Sequence, residues 1–483
     1  MSNVLVTGAT GYIGGRLVPK LLALGHRVRV LARDSNKLGA RAWSERVEVA
    51  TGDVLNPNTL PPAMDGIEIG YYLVHSMGGG KDFHRRDVEA ALNFAAAAAD
   101  GGVKRIIYLG GLGDAESDLS EHLSSRRETG DALRTKAVPV TEFRSAVILG
   151  SGSISFEIIR HLVERLPVMI CPRWVSTKIQ PISIADLLNY LVAALDQPDS
   201  AGRIIEIGGS DTTTHQGLML SYARIRGLRR KLVSVPVLTP RLSSYWVHWV
   251  TPIPAAISSP LIEGLRNEVV VRDWSARQLF PEISPGSCDD ALNRIVEDLD
   301  AGRIETAWSD TALGRDGPGV LTSTEGMIVE RRVVRVSAPA RIVYRVVSGI
   351  GGDRGWFFGD WAWRVRGLID RALGGVGLRR GRRHPDDLRV GDALDFWRVE
   401  VADTANLLRL RAEMKLPGSA WLQYTFREDS EGVTTVEQTA TFAPKGLAGL
   451  VYWYALYPIH ALIFRGLLRR VAKRALKAVV PIS

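Results

Sequence analysis

Cysteine is nearly absent: Cys171 and Cys288 are the only two in 483 residues. Two isolated thiols provide neither a disulfide framework nor a zinc cluster, and they suit a reducing compartment. The first apolar strand begins at residue 3, which leaves no room for a leader, so the cytoplasm is the expected location. The sequence also lacks a Gly-x-Ser-x-Gly elbow, a His-Glu-x-x-His pair, a Walker loop and an acidic metal cluster. Hydrolase-type nucleophiles, zinc peptidases and P-loop chemistry are thereby set aside, and no metal is expected. No low-complexity run occurs, and 46% hydrophobic against 23% charged residues describes a globular chain. Its length calls for two or three domains.

Acidic excess is missing as well. From residue 327 onward there are 26 Lys/Arg against 15 Asp/Glu, while the residues before are near balance at 35 against 37. Any anionic partner should therefore meet the last third of the chain. The arginines are dispersed and carry no nucleic-acid module signature, so nucleic acid is not an expected partner.

The most informative stretch present is Thr7-Gly-Ala-Thr-Gly-Tyr-Ile-Gly-Gly15, which follows the apolar run Val4-Leu5-Val6. It leads into Ile13, Leu17, Leu21 and Leu24 at helical spacing. Strand, glycine loop and helix in that order make a phosphate site: Gly8, Gly11 and Gly14 permit a tight turn, close approach of a pyrophosphate and close helix–strand packing. The helix start presents unpaired N–H groups and the positive end of its dipole. Thr10, Tyr12 and Ile13 complete the candidate cradle.

Beyond it the chain alternates strand and helix. Strands are expected at 3–7, 27–32, 46–50, 68–74, 104–110 and 140–149, with helices clearest at 13–24, 84–100 and 125–136. This pattern predicts an α/β, doubly wound parallel sheet. A first domain is expected over 1–305, with its core at 1–150 and substrate-side elements at 151–305. Within it, 236–262 holds five prolines, Tyr245, Trp246 and Trp249, and reads either as a packed subdomain or as a hydrophobic lid or membrane-touching loop. A linker is expected at 306–325 and a second domain at 326–483. That second domain reads as strand, short helix, antiparallel meander and a long helix near 447–478, a curved sheet around a helix of the kind that encloses an apolar ligand. Residues 446–464 carry no charge, and Arg465, Arg469, Arg470, Lys473, Arg474 and Lys477 follow. Three readings stay open for this helix: a core helix lining a cavity, in-plane attachment to an anionic membrane surface, and a transmembrane span.

Cofactor choice is set after the second strand. An acid there holds a ribose 2′-hydroxyl, whereas an Arg accommodates a 2′-phosphate. Arg33 occupies that place with Lys37 four residues on, which favours NADP(H) over NAD, although Asp34 is adjacent. Asp53 and Val54 follow the third strand and could meet the adenine; a turn-capping role for Asp53 fits equally well. Leu73 and Val74 end the fourth strand and His75 lies just past it, at the carboxyl edge where open α/β sheets bind ligands.

The glycine loop, Arg33, Gly52-Asp53-Val54 and the strand order resemble the short-chain dehydrogenase/reductase superfamily in its atypical, NmrA-like branch, with a Rossmann-type sheet. Tyr71-Tyr72-Leu73-Val74-His75-Ser76-Met77-Gly78 and Pro172-Arg173-Trp174 resemble a narrower bacterial two-domain family. The second half of that family is similar to the START/polyketide-cyclase (SRPBCC) helix-grip fold. The features matched there are Gly355-Trp-Phe-Phe-Gly359, Gly391-Asp392 and Tyr452-Trp453 through Phe464-Arg465-Gly466. The resemblance implies that the segment holding Phe143 lies beside the nicotinamide. It also exposes departures. Where the superfamily uses Tyr-x-x-x-Lys, this chain has His122-Leu-Ser-Ser-Arg126, and the upstream serine position falls at Gly110-Gly111. His122 is then the candidate proton donor, with Arg126 as its electrostatic partner or as a ribose or phosphate contact, and His75 is the second candidate. The expected activity is NADP(H)-dependent reduction of a lipophilic carbonyl, quinone or enone. The alternative is a non-catalytic NADP(H) sensor or structural protein with a lipid-binding or interaction module.

Overall fold

The computed structural model describes residues 1–38, 41, 43–75, 83–113, 120–235, 251, 255–300, 321–324, 327–377, 384 and 388–479. These residues form two compact units, one over Met1–Asp298 and the other made of Leu299, Asp300 and the described residues from Leu321 onward.

The first unit opens with β1 (Asn3–Thr7), α1 (Tyr12–Ala23), β2 (Arg27–Ala32), β3 (Glu48–Thr51), α2 (Pro61–Met64), β4 (Ile69–Tyr72), α3 (Phe83–Asp100), β5 (Arg105–Gly111), α4 (Glu121–Leu133) and β6 (Val140–Ser145). Then come β7 (Ile148–Leu149), α5 (Ile154–Arg165), β8 (Val168–Pro172), β9 (Lys178–Ile179), β10 (Ile182–Ser183), α6 (Ile184–Ala193) and β11 (Ile204–Ile207). β12 (Thr213–Thr214), α7 (His215–Ile225), β13 (Lys231–Val235), α8 (Ala255–Gly264), α9 (Ser275–Leu279) and α10 (Cys288–Asp300) complete the sequence of elements.

Seven of these strands make one sheet in the order β11-β6-β5-β4-β1-β2-β3, with every pairing parallel. The reason lies in the strands themselves. Val4–Val6 and Ile106–Tyr108 are wholly buried on both faces, so neither face can be left to solvent and helices must cover both. The order runs outward in opposite directions from β1 and β4, so a crevice opens between the loops that leave their carboxyl ends. One of those loops is the glycine loop and the other carries His75.

Two expectations change in detail. The 140–149 strand divides: β6 stays in the main sheet, and β7 leaves it to pair with β10. The helix placed at 125–136 starts earlier, at Glu121, because Ser120 caps it, its hydroxyl accepting from the Leu123 N–H. Of the 236–262 segment, residues 236–250 and 252–254 lie outside the described residues. Its end forms the start of α8.

The second unit has β14 (Leu321–Thr324), β15 (Met327–Val336), α11 (Ala340–Ser348), α12 (Asp360–Ala372), β16 (Ala393–Leu394), β17 (Trp397–Asp403), β18 (Leu407–Ala412), β19 (Gly418–Glu428), β20 (Thr434–Pro444) and α13 (Gly446–Val479). All its strands pair antiparallel in the order β14-β15-β20-β19-β18-β17-β16. Most of the 306–325 linker lies outside the described residues; its end is β14. Residues 393–401 of the meander form two strands, β16 and β17, with a tight turn between them at Asp395, whose φ of 54° an aspartate tolerates. The Asp395 carboxylate in turn accepts from the Trp356 indole N–H at 2.7 Å. Phe464, Leu467, Leu468, Val471 and Ala475 of α13 enter a core with Trp356, Phe396 and Tyr424. The long helix is thus a core element along its inner face.

Candidate functional site

Within the first unit a cavity of about 1120 Å³ opens along the carboxyl edge of the parallel sheet. The glycine loop lines one end of it. Gly8 has φ +71° and a side chain there would meet the Leu73 carbonyl oxygen at 2.5 Å. A Cβ on Gly14 would run into the Gly8 backbone, whereas one on Gly11 would stand 3.2 Å from the Gly8 carbonyl. Helix α1 begins at Gly11 with no side-chain cap and no acid in its first turn, so its leading N–H groups are left for an anion. Arg41 donates to the Thr10 carbonyl at 3.0 Å and brings a cation beside this loop. The residues present therefore suit a dinucleotide pyrophosphate.

Gly8, Thr10, Gly11, Tyr12, Ile13, Gly14, Arg33, Asp53, Val54, Leu73 and Val74 all line the cavity. Asp53 also accepts from the Leu55 N–H at 3.0 Å, so it caps its own turn while facing the site. Phe143 does not reach the cavity. It is fully buried, its ring 6.0 Å from Tyr190 and 5.8 Å from Phe280, because it lies two residues short of the carboxyl end of β6, inside the core. The cofactor role expected for Phe143 is therefore withdrawn. Ser145, two residues on at the strand's end, lines the cavity in its place.

The three candidate catalytic residues come together. Thr7 fixes the loop after β4: its hydroxyl donates to the Tyr71 carbonyl at 3.0 Å and accepts from the Leu73 N–H at 3.1 Å. That places His75 with Nδ1 2.7 Å from Asp87 Oδ2 and Nε2 3.4 Å from Nδ1 of His122. A carboxylate accepts only, so His75 Nδ1 carries a proton toward Asp87 and its Nε2 faces His122. Asp87 is 3% exposed on α3, on the face shared with Ala90, Ala91, Phe94 and Ala98. It is the member of this array that the sequence reading missed, and its signal was a charge at a core-facing helical position. His122 is turned inward at the start of α4 rather than solvated, its ring 5.1 Å from that of His75.

Arg126, one turn after His122, clamps the end of β5 by donating to the Leu109 carbonyl. Its own carbonyl accepts from the Tyr108 hydroxyl at 2.7 Å. It lines the cavity, and its charge disfavours a proton on either histidine. A Cβ at Gly111 would stand 2.9 Å from the Leu123 Cδ2, so a side chain there would require Leu123 to shift.

Burial, opposed by Asp87, holds the His75 pKa below its usual value. Burial, with the charges of His75 and Arg126, pushes His122 down to about 3. His215, buried deeper in the same cavity, is pushed down by burial to about 4. The folded form thus refuses protons that the unfolded chain accepts near pH 6.5, so stability present above that pH is lost as pH falls toward the folded value. At pH 5, His215 alone should cost the first unit about 2 kcal/mol. Calorimetry at pH 7 and pH 5 should show a lower Tm at pH 5, with the drop reduced in His215→Phe; a flat Tm would refute this account.

The far end of the cavity is apolar, lined by Ile158, Leu162, Met169, Trp174, Met219 and Ile262. No group of three or more metal-ligating side chains occurs among the described residues.

Comparison with known proteins gives the same division of the chain. Residues 8–144 match a family described as NAD(P)H-binding, and residues 327–467 match a family described as a protein of unknown function, DUF2867. A ceramide reductase of Caulobacter vibrioides is 30% identical over 286 residues, covering 56% of this chain and 85% of that protein. A chloroplastic divinyl chlorophyllide a 8-vinyl-reductase of Zea mays is 27% identical over 254 residues, covering 49% of this chain and 62% of that protein. Among solved structures, an NADPH-dependent quinone oxidoreductase of Escherichia coli complexed with NADPH superimposes with a TM-score of 0.50 at 18% identity, over 61% of this chain and 99% of that one. At that identity the likeness bears on the fold alone.

Proposed function

We propose that this chain, whose first unit belongs to the NAD(P)H-binding, NmrA-like family of short-chain dehydrogenase/reductases, reduces a lipophilic carbonyl, quinone or enone with NADPH in the cytoplasm. The observation that carries the reading is the Asp87–His75–His122 array, set between the glycine loop and the apolar end of one cavity. The dinucleotide, when bound, supplies hydride. The protein supplies the proton and the dry surroundings. With one extra proton on the pair, His75 Nδ1–H is held by Asp87, a second proton lies between His75 Nε2 and His122 Nδ1, and His122 Nε2–H faces the substrate oxygen. The proton given to substrate is replaced from solvent after product leaves. Arg126, one turn from His122, keeps that proton weakly held, which favours its transfer. The lipophilic substrate class rests on the apolar lining and on the relative named a ceramide reductase. The second unit is read as a helix-grip module, supported by its antiparallel sheet with a long helix against it.

NADPH preference is assigned to Arg33, which stands at the end of β2 in the cavity wall. Arg33→Ala should weaken NADPH binding by about 10- to 100-fold while NADH changes little, since one charge-assisted phosphate contact is worth about 1.5–3 kcal/mol. Fluorescence titration of both dinucleotides checks this, and equal losses for both would remove the assignment. The reaction is tested by following NADPH absorbance with a panel of quinones, enones and long-chain ketones. Oxidation that His75→Ala abolishes supports the reading. Tight NADPH binding without oxidation by any acceptor overturns it in favour of a non-catalytic sensor.

A further inference from the structure

The second unit has a surface whose polarity is inverted. Helix α13 turns Trp453 onto Phe442, with ring centroids 5.3 Å apart, and sends Phe464 through Ala475 into the core, so it is held against its own sheet along both halves. Its outward positions should then be polar. In the first half they are Val451, Tyr454, Ile459 and Leu462, all exposed, with Leu462 64% exposed. In the second half they are Arg465, Arg469, Arg470, Lys473 and Lys477. The helix contains no Asp or Glu.

Helix α12 repeats the pattern. Trp361 is 71% exposed and Leu368 66%, with Leu373 also exposed. Its start lies beside the middle of α13, where the Trp363 and Phe464 rings are 6.2 Å apart. Both acids of α12 are turned inward. Asp360 accepts from the Trp356 N–H at 2.6 Å, and Asp370, fully buried, accepts from the Gly377 and Lys415 N–H groups at 2.8 and 2.7 Å. The exposed charges of α12 are Arg364 and Arg371.

We propose that the outward faces of α12 and α13 dock on the surface of an anionic lipid bilayer, with Trp361, Leu368, Tyr454 and Leu462 entering the interface and the basic half of α13 resting on the headgroups. Tryptophan and tyrosine, each apolar with one polar atom, suit the headgroup boundary, and exposed acid-free basic side chains meet anionic lipid favourably. Charge complementarity decides between occupants: two copies of this face would bring cations against cations, whereas an anionic bilayer neutralises them. The helix has the length and composition to cross a membrane, but its inner face is committed to the sheet, so it lies in the plane of the surface. This proposal is independent of the reaction assigned to the first unit.

The test is flotation of the full chain with vesicles of phosphatidylcholine containing about 30% phosphatidylglycerol, against vesicles of phosphatidylcholine alone, at low and high salt. Binding to the anionic vesicles should exceed binding to neutral ones at least tenfold and fall with salt. The double variant Trp361→Glu/Leu368→Glu should lose at least tenfold, with its circular dichroism and thermal unfolding unchanged as a check that the second unit is folded. Absence of flotation with anionic vesicles at low salt overturns the proposal, as does a variant that floats as well as the native chain. A dimer that the double variant dissolves, without flotation of the native chain, would give the face to a second copy instead.

Discussion

His75→Ala should lower the kcat of substrate reduction by about 10²- to 10⁴-fold, the usual contribution of general acid catalysis, because His122 donates only with His75 behind it, while NADPH affinity stays within about threefold. The split follows from geometry. His75 lies past β4, on the proton side of the cavity, and its two ring nitrogens are engaged by Asp87 and His122 rather than by the glycine loop. Its removal leaves the cradle intact and cuts His122 off from the buried carboxylate. The pH dependence gives a second readout. Reduction consumes the proton on the pair, and burial holds the His75 pKa below its usual value, so the reactive form is scarce at pH 7. The rate of reduction should therefore rise as pH falls from 8, by up to about tenfold per unit above the apparent pKa of the pair, and the reverse oxidation should rise with pH. Asp87→Asn removes the negative charge that favours the proton on His75. The limb should move to lower pH, with reduction at pH 7 reduced and KM little changed. A pH profile that does not move in Asp87→Asn would show Asp87 to be packing alone.

What could be read from the sequence differs sharply between the cofactor end of this site and its proton end. The cradle is local: Gly8, Gly11 and Gly14 lie within seven residues, and strand, loop and helix each have a strong periodic signal. The residues of the proton array come from three separate elements. His122 was visible as a departure from the family pair and His75 by its place past the fourth strand, but their meeting depends on β4 and β5 being adjacent in the sheet. Asp87 lies in a helix whose charge pattern, Arg85-Arg86-Asp87, reads as an exposed turn until α3 is packed against the sheet. Phe143 failed for a related reason. Where β6 ends decides how deep it sits, and the rings of Tyr190 and Phe280 that cover it come from far along the chain. The second unit shows the same limit, since the apolar run at 446–464 fits a core helix and a membrane-facing one equally well. Only the sheet beneath it separates the inner residues from the outer ones.

Gly8→Ala should abolish NADPH binding in practice, with a loss of at least about 100-fold, because two separate penalties fall on one methyl group. The backbone at Gly8 has φ +71°, where an L-residue costs about 1–2 kcal/mol. Its Cβ would also stand 2.5 Å from the Leu73 carbonyl oxygen, so the phosphate loop and the loop leading to His75 must move apart. The same substitution should therefore lower kcat in whatever fraction of the enzyme saturates at high NADPH. The other two glycines separate these effects. Gly14→Ala drives a methyl into the Gly8 backbone where α1 crosses β1, and it should lower the Tm along with affinity. At Gly11 the backbone is ordinary, with φ −80°, and a Cβ would meet only the Gly8 carbonyl at 3.2 Å. Gly11→Ala should fold with nearly native Tm and bind NADPH about tenfold more weakly, through obstruction of the anion alone. Titration calorimetry beside thermal unfolding for the three variants distinguishes these outcomes. Equal Tm losses at all three positions would mean that the loop serves the turn and not a phosphate.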